Sequence, residues 1–373
     1  MEMLFIEGIV AMHDIIDIFI SNMALIISFM YITLKLKEVY ISKYKNVKIV
    51  LWILPLFISL LSVWVMHHPL LIDGMRIDLR GVPLFFISTL MGWKWGILSI
   101  LLPIWYRYDL GGPTVIQGIT QAIIAPYVIG ALFHRKKHFN PPYTVLTFKN
   151  MFTGFIFYEL IKSFLMFWTT PANLTNIILM ITFEAIALSV ITLINNDVNA
   201  NLLTRKELEF HSTHDNMTSL YNLRYFKNKV NAYLKKEHPF VIAMFDVDYF
   251  KVYNDNHGHP AGDIVLRTIG QLLKDSMRRD DVFARYGGEE FIICFSNVSD
   301  RKTAFTIADR FRNLVETYPF PGEEQQPNGV LTISMGLSTV STKKDLDTLI
   351  EEADKALYKA KNDGRNNVQS YEH

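Results

Sequence analysis

Two acidic clusters in the second half of the chain carry residue types that divalent-metal chemistry uses. The first is Phe245-Asp246-Val247-Asp248, at the end of the apolar run FVIAMFDVD; the second is Arg285-Tyr286-Gly287-Gly288-Glu289-Glu290-Phe291. In a strand, side chains alternate across the sheet, so Asp246 and Asp248 are expected to share one face and point past the strand's end. Gly287 and Gly288 read as a tight hairpin turn, where the backbone can approach a ligand closely. Two glutamates directly after that turn put carboxylates at a sheet edge. Carboxylates from two adjacent strands, completed by substrate phosphates, suit a hard ion such as Mg²⁺. Paired ions of that kind clamp the attacking and leaving oxygens in phosphoryl or nucleotidyl transfer. Taken alone, the same turn also reads as a solvated hairpin.

The elements that must position these groups are legible around them. The apolar runs FVIAMFDVD, DVFARYGGEEFIICF and VLTISMGLSTV are short and strand-like. Amphipathic helical patterns separate them, over 223–237, 262–277, 302–318 and 346–361. Strands and helices alternating in this way predict an α/β layer with helices packed on a sheet.

Further motifs surround the two clusters: Asp215-Asn216-Met217-Thr218-Ser219-Leu220-Tyr221-Asn222 upstream, then Lys251, Asn254, His259 and Asp263 in FDVDYFKVYNDNHGHPAGD. Downstream stand Ala353-Asp354-Lys355-Ala356-Leu357-Tyr358, then Lys361, Gly364, Arg365 and Asn366. In order and spacing this set resembles the GGDEF family of diguanylate cyclases, here in a GGEEF form, over about Leu203 to Gln369. The resemblance implies a ferredoxin-like, palm-type α/β domain with antiparallel strands in its central sheet. It implies condensation of two GTP into cyclic di-GMP and two pyrophosphates. Two Mg²⁺ would serve each site, with Mn²⁺ able to substitute, and two domains would face each other in a homodimer. Carried over by position, Asp246, the Val247 carbonyl and Glu289 would hold the metal. Glu289 would also be the base for the attacking 3′-hydroxyl, with Glu290 a supporting acid. Asn254 and Asp263 match positions that bind the guanine edge, and His259 sits in the same substrate loop. Lys251, Lys361 and Arg365 match cationic positions around the phosphates, and Gly287 and Gly288 let the backbone pass the nucleotide. Arg278-Arg279-Asp280-Asp281 matches the family's RxxD inhibitory motif, so Arg278 and Asp281 would bind the product, a guanidinium pairing well with phosphate oxygens. The chain departs from the family at Ser219, where the family usually has Gly, and at Leu223, where it usually has Arg; tuned nucleotide packing is expected there.

The first half is different in kind. Half of the 373 residues are hydrophobic and a fifth are charged, an unusual balance for a soluble globular protein. Apolar runs fill the chain to about Asn195, and charged residues dominate after Asn201. The net charge of +1 averages these halves and gives no sign of a nucleic-acid partner. Cys294 is the single cysteine, which suits a reducing compartment for the polar half. The N-terminus has no basic segment or small-residue cleavage site, so its first apolar run is expected to stay in the mature protein.

About 20 apolar residues are needed to cross the ~30 Å hydrocarbon core. Candidate spans are Ile15–Leu34, Ile49–Met66, Pro113–Phe133, Met151–Trp168 and Asn176–Ile194, and Val82–Tyr106 is apolar but broken by Gly92 and Gly96. Lys35, Lys37, Lys43, Lys45 and Lys48 mark one loop as cytoplasmic, and Arg135, Lys136 and Lys137 mark another. Two short helices within 82–106 satisfy that parity and give seven crossings; a single span there gives six. Glu159, Lys162 and Glu184 lie at membrane depth and are candidates for function or for an internal ion pair. Asp78-Leu79-Arg80 and Arg107 with Gly111-Gly112 frame the short helices at the outer face. The run DLRGVPLFFISTLMGWKWGILS with WYRYDLGG resembles the five-transmembrane receptor module of bacterial lytic-regulation sensor kinases, over roughly Val50 to Asn195, and implies a sensory input.

The expected organisation is therefore a polytopic α-helical membrane domain over 1–195, a helical linker over 196–213 that is either a stalk or a plain tether, and a cytoplasmic catalytic domain over 214–373. The competing reading is a silent receptor that binds GTP or cyclic di-GMP and signals by contact. The intact Gly287, Gly288, Glu289, Glu290, Asp246 and Lys251 weigh for the enzyme. A cyclase of another nucleotide, such as ATP, is disfavoured by Asn254 and Asp263, whose amide and carboxylate suit guanine.

Overall fold

The computed structural model describes residues 2–44, 47–72, 75–169, 174–341 and 344–372. Lys45 of the basic loop and His373 at the C-terminus lie outside the described residues. The chain divides into two compact units, Met1–Lys206 and Glu207–His373.

The first unit is helical. Its elements are α1 (Glu2–Tyr44), α2 (Val47–Val65), a two-stranded ribbon of β1 (Leu70–Ile72) and β2 (Met75–Ile77), α3 (Gly81–Asp109), α4 (Val115–Ile119), α5 (Ala125–Leu132), α6 (Phe148–Thr169) and α7 (Leu174–Thr213), whose last seven residues belong to the second unit. A π turn over Thr120–Ile124 joins α4 and α5 into one helical run. Among the described residues, six helices are long and apolar enough to cross a membrane, α3 counted as one. Their outer faces expose large apolar side chains, such as Trp52, Leu101, Phe164, Phe167 and Trp168, while Phe19, Ile58, Phe85, Leu188 and Ile191 fill the interior. Apolar residues both inside and outside are the pattern of a helix bundle solvated by lipid. This is a membrane protein.

The break expected within 82–106 falls at Gly92 alone, whose φ of 73° and ψ of −175° interrupt α3. A Cβ placed on Gly96 would lie 3.3 Å from the Ser88 Cα. In a continuous helix eight residues span about 12 Å, so the two halves of α3 fold back on each other as a helical hairpin. Gly92 is needed there on two counts. Its φ lies in the left-handed region, and a Cβ would meet the His134 ring at 2.7 Å.

The second unit follows the α/β expectation. It contains β3 (Tyr221–Asn222), α8 (Leu223–Leu234), β4 (Phe240–Val247), α9 (Phe250–His257), α10 (His259–Ser276), β5 (Val282–Gly287), β6 (Glu290–Ser296), α11 (Arg301–Thr317), β7 (Ile333–Val340), α12 (Leu346–Asn362) and β8 (Val368–Ser370). The sheet order is β3-β5-β6-β4-β7-β8. The central four strands pair antiparallel, and the short β3 and β8 join the edges in parallel. The β4-α-β5-β6-α-β7 order is the ferredoxin-like arrangement. Alternation along β4 splits the core in two. Val241, Ala243 and Phe245 pack with Ile269, Leu273 and Phe311 of α10 and α11. Ile242 and Met244 pack with Phe226, Leu349, Ala353 and Leu357 of α8 and α12. At Gly336 of β7 a Cβ would lie 2.1 Å from Leu357 N and 2.2 Å from Ala353 O, so α12 sits backbone to backbone on the sheet. That close approach, available only to glycine, fixes the height at which the C-terminal end of α12 presents its side chains.

Candidate functional site

By the same alternation, Asp246 continues the face of Ile242 and Met244, toward α12. It stands directly across from Glu290 in the β4–β6 register, and directly opposed side chains share a face. Lys361, in the last turn of α12, reaches it, with Nζ 2.8 Å from Asp246 Oδ2. Asp246 is 7% exposed. Burial pushes its carboxyl up to about 6, with Glu289 and Glu290 adding to the push and Lys361 opposing it. Burial also raises the Glu290 carboxyl, against the pull of Lys361.

The hairpin that carries the glutamates turns one residue later than the sequence pattern places it. Gly287 is the last residue of β5 and pairs with Glu290, so Gly288 and Glu289 form the two-residue loop. Gly288 has a φ of 52° and Glu289 is not among the residues of positive φ, the pattern of a II′ turn with glycine first. Space beside both glycines is open, with nothing within 4 Å of a Cβ placed on either. Arg285 braces the turn. Its Nε and Nη2 donate to Gly288 O at 2.9 and 2.6 Å, and its Nη1 donates to Asp215 Oδ1 at 3.3 Å. Asp215 also accepts from Thr218 N and Thr218 Oγ1. Although burial raises the Asp215 carboxyl, these bonds and the Arg285 charge hold it below its ordinary value. The brace links two motifs distant in sequence, and neither spacing nor residue type announces it.

Asp248 shares the face of Asp246 as expected, but it turns sideways to β7 instead of past the strand's end: its partner Ser334 stands opposite Asp246 in the β4–β7 register. The strand ends at Val247, the Asp248 N–H still donates to Thr332 O, and Tyr249 then takes a left-handed φ of 55° that turns the chain off the sheet. Asp248, 2% exposed, turns inward and accepts from Ser334 Oγ, Thr332 Oγ1 and Asn366 N.

The remaining positions are spread along α9, α10 and the C-terminal turn. Asn254 on α9 lies against α10, and a Cβ on Gly262 would fall 1.9 Å from Asn254 Oδ1. That oxygen is buried with no protein partner among the described residues. Asp263 follows Gly262 and lies 3.9 Å from Arg267 Nη2. Lys251 on α9 and His259 at the start of α10 are exposed. Arg365, at φ 62°, stacks its guanidinium 4.5 Å from the Tyr249 ring centroid. Ser219, at the position where a glycine was expected, has a φ of 54°. Its departure from the motif is thus held as backbone strain beside the Asp215 brace.

Arg278 is exposed, whereas Asp281 is committed to the fold. Asp281 Oδ2 accepts from Arg278 N at 3.0 Å, and its Oδ1 accepts from Ser296 N at 3.0 Å and Ser296 Oγ at 3.3 Å.

Among the described residues no three His, Cys, Asp or Glu side chains form a ready metal cluster. The expected donors, the Asp246 and Glu289 carboxylates and the Val247 carbonyl, would make only a partial set. It nevertheless fits a divalent ion completed by phosphate oxygens, because burial opposes the charge of the Asp246 and Glu290 carboxyls and they share the single ammonium of Lys361.

The first unit holds a second polar cluster. Lys162 Nζ donates to Glu159 Oε1 at 2.8 Å and also bonds Glu184, all three side chains being buried. Arg80 pairs with Asp78. Between them lies a cavity of about 50 Å³, lined by Asp78, Arg80, Gln121, Tyr158, Lys162 and Glu184 among others. Arg80 Nη1, Tyr158 OH and Glu159 Oε2 have no protein partner among the described residues.

A family model described as "Diguanylate cyclase, GGDEF domain" matches residues 212–367, and one described as "5TMR of 5TMR-LYT" matches residues 33–197. YhcK of Bacillus subtilis is 30% identical over 314 residues, covering 78% of this chain and 81% of that protein. The chain belongs to the GGDEF family. This GGDEF protein is also 38% identical over 165 residues to Diguanylate cyclase A of Treponema denticola, covering 42% of this chain but only 44% of that protein. Among solved structures, the active GGEEF domain of a diguanylate cyclase from Vibrio cholerae is 31% identical, covering 40% of this chain and 92% of that one, with a TM-score of 0.36.

Proposed function

We propose that this GGDEF protein is a membrane-bound, Mg²⁺-dependent diguanylate cyclase that condenses two GTP into cyclic di-GMP. Each 3′-hydroxyl attacks the α-phosphorus of the other nucleotide. Two new P–O bonds form, two bonds to pyrophosphate break, and each hydroxyl proton passes to Glu289. The observation that carries the reading is the juxtaposition of Asp246, Glu290 and Lys361 beside an open, braced glycine turn. Asp246, Glu289 and the Val247 carbonyl would hold Mg²⁺, which neutralises charge developing on the phosphates. Glu290 supports the acid cluster, and Lys251, Lys361 and Arg365 serve the phosphates. Asn254, with its unpartnered Oδ1, and Asp263 read guanine, near His259. One such turn per chain means that two chains must face each other, so the active form is a homodimer.

The helical hairpin within α3 supports an orientation with the catalytic unit in the cytoplasm of a bacterial cell membrane. Both basic loops then lie inside, because a hairpin that returns to the side it left preserves parity. Its first half, residues 81–91, is about 16 Å long, short of the ~30 Å core. The hairpin is therefore re-entrant, leaving five full crossings in place of the six or seven expected from sequence. The buried charges around the 50 Å³ cavity favour a sensory input acting on the enzyme.

Purified full-length protein with GTP and Mg²⁺ should yield cyclic di-GMP and two equivalents of pyrophosphate, separable by chromatography, and no cyclic product from ATP. Binding of GTP without product would favour the silent receptor. Product should also inhibit through Arg278, with Asp281 holding the turn that presents it. The Arg278→Ala variant should raise the inhibitory concentration of cyclic di-GMP at least about tenfold, since a charge-assisted bidentate contact is lost. An unchanged inhibition curve would remove the motif from the mechanism.

A further inference from the structure

We propose that Asp248 is a positioning residue that acts on substrate through Arg365, and not a second metal ligand. The inference rests on the proposed cyclase reading, in which Arg365 serves the GTP phosphates. Both oxygens of Asp248 are already used: Oδ1 accepts from Ser334 Oγ at 2.7 Å, and Oδ2 from Thr332 Oγ1 at 2.8 Å and Asn366 N at 3.1 Å. Its own N–H donates to Thr332 O at 2.9 Å. With 2% exposure, it turns both oxygens to these donors and away from solvent. A buried carboxylate persists only where hydrogen bonds replace water, and three donors bond the two oxygens of Asp248.

What those bonds hold is an uncommon backbone. Gly364, Arg365 and Asn366 have successive φ values of 100°, 62° and 47°. Left-handed non-glycine residues persist only when their surroundings fix them. Asp248 fixes this turn from the strand side through the Asn366 N–H. From the other side, Arg312 Nη1 donates to Asn366 Oδ1 and Asn366 Nδ2 donates to Glu316 Oε1. The residue between Gly364 and Asn366 is Arg365. Its guanidinium lies over the ring of Tyr249, the residue that directly follows Asp248. Asp248 therefore clasps the end of β4 to the C-terminal turn, and the cation on that turn is aimed by the clasp.

The test compares Asp248→Asn, Asp248→Ala, Arg365→Ala and the double variant Asp248→Ala/Arg365→Ala in the full-length protein. An asparagine can keep Oδ1 toward Asn366 N and Thr332 while its amide donates to the Ser334 hydroxyl. Asp248→Asn should thus stay within about threefold of the parent in both kcat and KM for GTP. Asp248→Ala should raise KM about tenfold with little loss of kcat, and half-saturating Mg²⁺ should not move. In the Arg365→Ala background the Asp248→Ala change should cost little more, since both act on one contact. A metal-ligand role would instead make Asp248→Asn as inactive as Asp248→Ala, with kcat lost and the Mg²⁺ requirement raised; that outcome overturns the proposal. Hydrogen exchange separates its failure from failure of the cyclase reading, because it needs no turnover. Asp248→Ala should speed exchange of the 364–367 amides at least about tenfold with Asp248→Asn near the parent, and unchanged exchange in Asp248→Ala refutes the clasp.

Discussion

Asp246→Asn should abolish cyclic di-GMP formation, by on the order of 10³-fold in kcat, while leaving the metal-free protein at least as stable as the parent at pH 7. The opposite signs follow from one fact. Asp246 is buried beside Glu289 and Glu290, and burial raises its carboxyl to about 6. A carboxyl raised in the folded state favours the fold when protonated, and that stability is lost as pH climbs from the ordinary value near 4 through about 6. At neutral pH the ionised group therefore costs stability on the order of 2 kcal/mol, which an amide does not. Part of that gain is offset because Lys361 loses its partner, but its side chain is 31% exposed and can turn to water. Melting of the metal-free protein from pH 4 to 8 checks this. The gap in Tm between variant and parent should open in favour of the variant through pH 6 and then level off. A variant that melts lower than the parent at every pH would show that the Lys361 pair outweighs the burial.

Lys162→Met should be the most damaging single change in the first unit, at roughly 3–5 kcal/mol. Lys162 is 3% exposed and is the shared cation of Glu159 and Glu184, which are 5% and 1% exposed. Its ammonium also sits 4.8 Å from the centroid of the Tyr158 ring. Removing it leaves two carboxyls facing one another without a counter-charge. Converting all three together, as Glu159→Gln/Lys162→Met/Glu184→Gln, removes the charges with the cation and should restore stability to within about 1 kcal/mol. Unfolding of the purified protein in mixed micelles by increasing denaturing detergent measures both. If Lys162→Met unfolds with the parent, the triad is hydrated and not sealed.

The catalytic unit was the more legible part of the sequence because its constraints are local. Alternation in FVIAMFDVD, the glycine pair before Glu289 and the amphipathic pattern of 346–361 each act over a few residues, and each became the expected element. The shared face of Asp246 and Asp248 was legible from alternation, but not that Asp248 turns to Thr332 and to Ser334 of β7, because that contact depends on which strand lies beside β4. The Arg285–Asp215 brace was invisible for a different reason: it is a tertiary contact between strand β5 and a loop distant in sequence. In the first unit, apolar length located every helix but could not distinguish a kinked span from a hairpin. That distinction rests on the φ of Gly92 and on the approach of Gly96 to Ser88. The Glu159–Lys162 pair was readable from its helical spacing, whereas the addition of Glu184 depended on how α6 and α7 pack.

The measurement that tests the central claim most directly is GTP turnover with Mg²⁺ by the purified full-length protein beside Glu289→Ala, with GTP binding followed in both. Glu289 lies in the two-residue turn between β5 and β6, so its removal should spare the fold. Cyclic di-GMP from the parent, and none from a variant that still binds GTP, is the expected result. Equal turnover by both would contradict the assignment of the turn carboxylate. Binding without product from either, in a protein shown to dimerise, would contradict the enzyme itself.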